Sequence, residues 1–159
     1  MTQLDATIED EGMSELDEFL AAAMPRLTEA ETALLNGDPA LRIEMWSHEE
    51  PVTLFGAVTT ETGWPHVRGV FEWLGSSFSD CTYYRNEVLA AGASGDLAYI
   101  VALEHKTVTL DDAPRTYTLR VTTVFRREGG EWKIVHRHGD PGPSESADES
   151  LKALPTATG

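Results

Sequence analysis

Two histidines near the end of the chain have the type and spacing that most directly suggest chemistry. In the stretch EWKIVHRHGDP, Trp132, Ile134, His136 and His138 occupy alternating positions. Alternate side chains of a β-strand lie on one face of the sheet. The pattern therefore predicts that both imidazoles share a face with an indole and an isoleucine. An imidazole can donate, accept or transfer a proton near neutral pH.

Three roles fit this pair: lining a pocket, transferring a proton, or packing at the end of a strand. For proton transfer we favour His138, with His136 or Asp140 as its partner, because Asp140 follows the histidines with the same parity. An aspartate directly before a proline, here Pro141, is also typical of a turn. The catalytic hypothesis therefore rests on His138, His136 and Asp140.

Metal and cofactor chemistry find little support in the sequence. A zinc site needs three or four ligands, and His48, His66 and His105 have no suitable spacing relative to the histidine pair. The chain also contains no Gly-rich phosphate loop, no G-x-S-x-G and no H-E-x-x-H. We therefore predict no metal site and no cofactor.

The composition limits the classes of partner. The chain has 159 residues and a formal net charge of -15, so a basic surface for nucleic acid or for anionic membranes is not expected. The single cysteine, Cys81, allows no intrachain disulfide. The acidic beginning of the chain lacks the features of a signal peptide. These observations favour a cytoplasmic protein, and the charge gives no specific information about a substrate.

The hydrophobic period changes along the chain and predicts its elements. Apolar residues recur at helical spacing from Leu16 to Leu34, in a short second helix that ends near Trp46, and again in a third helix around Phe71. From Thr82 the period becomes two, which predicts four long antiparallel strands. The order indicates an α+β domain over residues 14–141, with an acidic arm at 1–13 and a flexible tail at 142–159.

The turn Gly129-Gly130 sets the expected register of the last hairpin. A two-residue turn places Thr123 opposite His136, on the apolar face that meets the helices. A longer loop with a bulge would shift the register by one and bring Arg120 opposite a histidine instead. The predicted pocket lining comprises Trp46, Tyr99, Val101, Thr123, His136 and His138, with Arg120 added for the second register.

The second face of the predicted sheet also carries many apolar residues, among them Ala98, Ile100 and Val124. A sheet face exposed only to water alternates more cleanly between apolar and polar residues. We therefore expect a second copy of the chain to cover this face, forming a homodimer through the sheet.

Three stretches resemble the nuclear transport factor 2-like superfamily, and its SnoaL-like and ketosteroid-isomerase-like members in particular. They are NGDPALRIEMWSHEEPVTLFG, GVFEWL and RVTTVFRREGGEWKIVHRHGDP; the last also resembles the hub domain of calmodulin-dependent kinase. The resemblance implies a cone-shaped, curved antiparallel sheet wrapped around three N-terminal helices. It further implies an internal pocket open at one end and a dimer through the sheet.

Three alternative functions are predicted. The first is a homodimeric domain that binds a small organic molecule. The second is an isomerase, cyclase or dehydratase that acts on a small apolar carbonyl compound through a pocket histidine, as the resemblance implies. The third is an assembly module without a ligand, because one fold can host many functions. In the enzymatic relatives a pocket carboxylate or carboxylate–histidine pair moves the proton, and no Asp or Glu falls clearly on the predicted apolar face.

Overall fold

The computed structural model describes residues 13–143. Nearly all of the predicted acidic arm and most of the predicted tail therefore lie outside the described residues. None of the helices between residues 13 and 143 is long and apolar enough to cross a membrane.

Three helices precede the long strands, as the apolar periodicity predicts. They are α1 (Glu15–Leu35), α2 (Ala40–Met45) and α3 (Trp64–Ser77). Helix α1 begins with a capping box, in which Ser14 accepts from the backbone N–H of Asp17 and Asp17 accepts from that of Ser14. Pro25 lies within α1, which continues through it as one helix.

Six strands form one sheet in the order β2-β1-β6-β5-β4-β3. They are β1 (Thr53–Phe55), β2 (Thr60–Thr62), β3 (Phe78–Ser94), β4 (Leu97–Leu110), β5 (Ala113–Glu128) and β6 (Glu131–Asp140). The four long strands are antiparallel, as expected. The short strand β1 runs parallel to β6, so the sheet as a whole is mixed. The α+β fold class is confirmed.

The helices pack on the inner face of the sheet around a core of large aromatic side chains. Phe19 of α1 contacts Phe125 and Trp132 edge to face, with ring centroids 4.9 and 5.0 Å apart. Trp46 and Phe71 form a second contact at 5.1 Å. Such aromatic pairs fix the helices against the sheet beyond their contribution from buried area.

The inner face of β4 is the opposite of the one that we predict. Ala98, Ile100 and Ala102 are buried against the helices, whereas Tyr99 points outward and is 45% exposed. The pairing of Ile100 with Thr123 places these residues on one face. Both alternating series of β4 are apolar, so hydrophobicity alone does not distinguish them. The two-residue turn between β4 and β5 sets the register.

The last hairpin begins as predicted and then changes phase. Gly129 and Gly130 form a two-residue turn with φ of 55° and 83°, which suits a type I′ hairpin. A β-bulge then occurs at Val135, because Phe125 pairs with Ile134 but Val124 pairs with His136. From the bulge onward the odd-numbered residues of β6 face inward.

The predicted inner position of His136 and His138 is therefore wrong. His138 pairs with Thr122, and Arg120 pairs with Asp140, on the outer face of the sheet. The histidines lie on the face that the second predicted register gives them, but the register itself differs, because Arg120 lies opposite Asp140 and not opposite a histidine. The cause is a bulge within the strand and not a longer loop. Arg137 and Gly139 take the inner positions that the alternation assigns to the histidines.

Candidate functional site

A cavity of about 1050 Å³ lies between the helices and the inner face of the sheet. Its walls are largely apolar and come from α1, α3, β1 and β5. Representative wall residues are Leu34, Leu35, Leu54, Val70, Leu74 and Leu119. Val58 and Trp73 lie at the cavity and are 88% and 54% exposed, so they mark its mouth.

Five charged side chains are buried at the inner end of this cavity. They are Glu31, Arg42, Glu104, Lys106 and Arg137, hereafter the charged cluster, and none is more than 6% exposed. All except Glu104 line the cavity directly. Buried ionic groups are rare because desolvation is costly, so their concentration beside a cavity marks a candidate site.

Direct ion pairs hold the charged cluster together. Arg137 donates from both Nη atoms to the two oxygens of Glu104, at 2.9 and 2.8 Å. Lys106 Nζ lies 3.0 Å from Glu104 Oε1 and 3.8 Å from Glu31 Oε2. Arg42 pairs with Glu31. Glu104 is therefore held by two cations, which fixes its orientation.

Each member reaches the cluster through its own element. Glu31 stands in the apolar stripe of α1, four residues after Leu27 and three before Leu34. Glu104 and Lys106 follow Ala102 on the inner face of β4. Arg137 faces inward only because of the bulge in β6.

Arg42 comes from the short helix α2, where it is buried. Its guanidinium lies 5.1 Å from the centroid of the Phe71 ring. A planar guanidinium over an aromatic face gains a cation–π attraction. Arg42 is therefore held by an aromatic ring of α3 as well as by Glu31.

The central pair stays ionised in the folded protein. Burial alone would raise the pKa of Glu104, but the charges of Arg137 and Lys106 outweigh burial and hold that pKa well below its usual range. Burial would likewise lower the pKa of Arg137, yet its contact with Glu104 raises that pKa. The two groups therefore stabilise each other's charged form.

The other two cations are less fully compensated. Burial lowers the pKa of Lys106 to about 8, against the opposing effect of Glu104, and Arg137 and Arg42 lower it further. Burial also lowers the pKa of Arg42 to about 9. Both side chains therefore remain mainly protonated at neutral pH.

A tyrosine hydroxyl adds a neutral polar group to the cavity. Burial and the charge of Glu104 raise the pKa of Tyr117, so its phenol stays protonated at neutral pH. Tyr84, which is half-buried and does not line the cavity, also has its pKa raised, first by burial and then by the charge of Glu104. The cavity can thus offer cations and the hydroxyl of Tyr117 to a ligand.

The histidine pair lies outside the cavity, on the outer face of the sheet. His136 Nδ1 is 2.7 Å from Thr53 Oγ1, and His138 Nε2 is 3.3 Å from Asp140 Oδ2. Phe55 contacts both imidazoles edge to face. Burial and the charge of His138 lower the pKa of His136. The two rings therefore have protein partners and do not face the cavity.

The remaining predicted pocket residues also lie elsewhere. Trp46 and Thr123 are buried in the core, and Tyr99 and Val101 stand on the outer face of β4. Arg120 is on the outer face of β5, where its Nε donates to Asp140 over 2.8 Å. None of the seven predicted binding residues lines the cavity. Other residues form the walls of this cavity.

The sequence contains one signal for the charged cluster. Glu104 and Lys106 share the parity of Ala98, Ile100 and Ala102 on β4. The alternation therefore predicts an inward position for both, provided that charged residues are allowed on the buried face. Arg137 gives no such signal, because its inward direction depends on the bulge. The described residues contain no group of three or more His, Cys, Asp or Glu side chains placed to hold a metal ion.

Comparison with known families identifies the domain type. The sequence profile of the SnoaL-like domain matches residues 10–141, which is most of the chain. None of the curated proteins compared with the chain matches it.

Several solved structures share the fold with little sequence identity. A candidate dehydratase of the NTF2-like family from Streptomyces avermitilis has a TM-score of 0.63 at 16% identity, covering 80% of this chain and 99% of that one. An NTF2-like protein of unknown function from Pseudomonas putida has a TM-score of 0.63 at 21% identity, covering 86% and 93%.

A third similar structure is a candidate association domain of calcium/calmodulin-dependent protein kinase type II from Thiobacillus denitrificans. Its TM-score is 0.61 at 16% identity, with 77% of this chain and 96% of that chain covered. At such identities the likeness establishes the fold alone. It confirms the NTF2-like architecture that the three sequence stretches predict.

Proposed function

Because the chain belongs to the family of SnoaL-like domains, we propose that its cavity binds a small organic molecule. The observation that carries this proposal is the charged cluster at the inner end of an otherwise apolar cavity. Ligand sites are typically concave and mostly apolar, with a few convergent polar groups that fix orientation. The volume of about 1050 Å³ is ample for a molecule of drug-like size.

The cost of the charged cluster supports this proposal. Replacing buried ion pairs by apolar residues is often neutral or stabilising, so stability alone does not favour keeping five charges in a cavity wall. A ligand-binding role gives these side chains a use that apolar residues could not serve. The proposal is refuted if no compound binds to the wild type more tightly than to a variant whose cavity is obstructed.

Gly69 offers a way to block the cavity without removing any charge. It lies on α3 at the cavity, and a Cβ added there meets no atom within 4 Å. Gly69→Leu should therefore place a branched side chain at the cavity and obstruct part of it, whereas Gly69→Ala makes a similar change in helix propensity with little added volume. A fragment screen by thermal shift should find compounds that stabilise the wild type and Gly69→Ala but not Gly69→Leu.

A second candidate function is an enzyme that enolises a carbonyl compound, as in a dehydratase or isomerase. The observation that favours it is Glu31, which lines the cavity next to Arg42 and has an Oε2 atom with no hydrogen bond among the described residues. Cations placed where an enolate develops would stabilise it. NMR detection of deuterium uptake next to the carbonyl of a bound ketone would test this activity.

We also propose that the outer face of the sheet binds a second copy of the chain. Leu97, Tyr99 and Tyr83 are large side chains on the outer face of β3 and β4, with exposures of 57%, 45% and 49%. An exposed apolar patch of this kind is typical of an interaction surface. Sedimentation velocity over a range of concentrations would reveal a dimer, and a monomer at all concentrations would refute it.

A further inference from the structure

We infer that the cavity takes an organic monocarboxylate, with its anionic group at the charged cluster and its hydrocarbon part against the apolar walls. This inference rests on the proposed binding function and specifies the chemical class of the ligand. Its basis is the charge balance of the buried side chains, the hydrogen-bond donors that the protein leaves free, and the space beside them.

The charge balance favours an anion. Among the described residues, the buried charged side chains are three cations and two carboxylates, which leaves one positive charge in excess. The whole chain carries a formal charge of -15, so this local excess is opposite in sign to the protein. An uncompensated charge in a buried position is unfavourable, and a bound monoanion would neutralise it.

The groups at the mouth do not change this balance. Glu61 and Arg115 both line the cavity and carry opposite charges. Glu61 already accepts a hydrogen bond from Thr59. The excess positive charge therefore belongs to the inner end, where water is least able to screen it.

Free donors are present at the same place. An ammonium group has three N–H donors, and within residues 13–143 Lys106 has one side-chain partner at hydrogen-bond distance, Glu104 at 3.0 Å. Its separation of 3.8 Å from Glu31 is too long for a hydrogen bond. Lys106 can therefore donate to a ligand without leaving Glu104.

Gly139 keeps space open beside the guanidinium of Arg137. Its position faces inward on β6 and lines the cavity together with Arg137. A Cβ at Gly139 would lie 3.7 Å from Arg137 Nη2 and 3.8 Å from Nε. Both Nη atoms already donate to Glu104, whereas Nε has no protein acceptor among the described residues. A carboxylate can thus approach this edge of the guanidinium.

The chemical class follows from combining these features. One excess charge matches a monoanion, and a phosphate dianion would reverse the balance. The apolar walls match a hydrocarbon body with an aromatic or aliphatic group. A carboxylate accepts hydrogen bonds from both ammonium and guanidinium groups with good geometry.

Isothermal titration with matched pairs of compounds tests this inference. The probes are 3-phenylpropanoate with 3-phenylpropanamide, and octanoate with octanamide, which differ within each pair mainly in charge. We expect the wild type to bind at least one acid about tenfold or more tightly than its amide. Lys106→Met should lose that preference, because it leaves two cations opposite two carboxylates at similar side-chain volume.

Arg68→Met is the matched control. Arg68 is exposed, pairs with Glu72 on α3 and does not line the cavity, so this variant makes the same change in net charge and should keep the preference for acids. Circular dichroism would confirm that both variants fold. Equal binding of acid and amide, no binding of either acid, or an equal loss in both variants would overturn the inference.

Failure of the inference can be told from failure of the proposed function. If neutral compounds bind the wild type and are excluded by Gly69→Leu, the cavity binds ligands but does not select an anion. If every compound that binds the wild type binds Gly69→Leu equally well, binding beside Gly69 in the cavity is refuted, and the inference falls with it. Acid binding that survives in Gly69→Leu would place the anion site elsewhere and contradict the inference.

Discussion

Arg137 and Glu104 form a buried, two-point ion pair, with Nη1 donating to Oε2 over 2.9 Å and Nη2 donating to Oε1 over 2.8 Å. The pair joins β6 to β4 across the inner face of β5. It exists because the bulge at Val135 turns Arg137 inward. The backbone irregularity and the charged cluster are therefore one structural feature.

Replacement of Glu104 by Gln should strongly destabilise the fold. It leaves three buried cations facing one carboxylate, and removal of one partner from a buried ion pair typically costs about 3–5 kcal/mol. Urea unfolding followed by tryptophan fluorescence measures this loss. The control is Glu72→Gln, which removes an exposed partner of Arg68 and should leave the midpoint almost unchanged. Similar midpoints for the two variants would contradict the structural role of the pair.

Acid should weaken the wild-type fold through the same carboxylate. The pKa of Glu104 in the folded state lies well below its unfolded value of about 4.5. Between these two pKa values the folded state therefore binds fewer protons than the unfolded state. Its contribution to stability is present above the unfolded pKa and is lost as pH decreases toward the folded pKa. The difference in unfolding free energy between wild type and Glu104→Gln should shrink below about pH 4.5. A difference that stays constant there would contradict the lowered pKa.

Lys106→Met should preserve the fold and change its pH dependence in alkali. The Arg137–Glu104 and Arg42–Glu31 pairs remain, so we expect the unfolding free energy at neutral pH to be unchanged or higher. Between about pH 8 and pH 10.5, Lys106 is protonated in the unfolded state but has lost its proton in the folded state. The wild type should therefore gain stability relative to Lys106→Met as pH rises through this window.

Parallel urea titrations of the two proteins across that range measure the relative stability. The same titration of Arg68→Met serves as the control, because it shows how the loss of one exposed positive charge alone changes stability with pH. A wild type that loses stability relative to Lys106→Met over this range would show that the Lys106 pKa is raised, and hence that the cluster already compensates its charge.

Tyr99→Glu should prevent dimer formation if the outer face of the sheet pairs with a second copy. The substitution introduces a charge at the exposed apolar patch of β4, where a partner would have to desolvate it. Thr60→Glu, on the exposed edge strand β2, makes the same charge change away from the patch. We expect sedimentation velocity to show monomers for Tyr99→Glu and dimers for Thr60→Glu. Dimers of both variants would exclude this face.

The fold could be predicted from the sequence because its signals are periodic and redundant. Apolar residues at helical spacing mark α1 and α3, and the change to a period of two marks the long strands. The turn at Gly129 and Gly130 was also recognisable, since two glycines permit the positive φ values that the hairpin needs. Each of these features involves local residues only.

The site could not be predicted in the same way because it depends on the phase of the strands. One extra residue at Val135 exchanges the faces of His136 and Arg137, and no turn-forming residue marks the bulge in the sequence. Glu104 and Lys106 were missed for a different reason. A charged residue is normally assigned to solvent, and only the ion pairs formed across three elements make its burial tolerable.

The most direct test of the central claim is the location of a bound ligand. Backbone NMR of the labelled protein, titrated with the best compound from the fragment screen, would report the residues that it contacts. We predict the largest shifts at Lys106, Tyr117 and Gly139, with little change at Tyr99 and Arg120. Shifts centred on His136 and His138, with none at Lys106, would contradict the account and move the functional site to the outer face of the sheet.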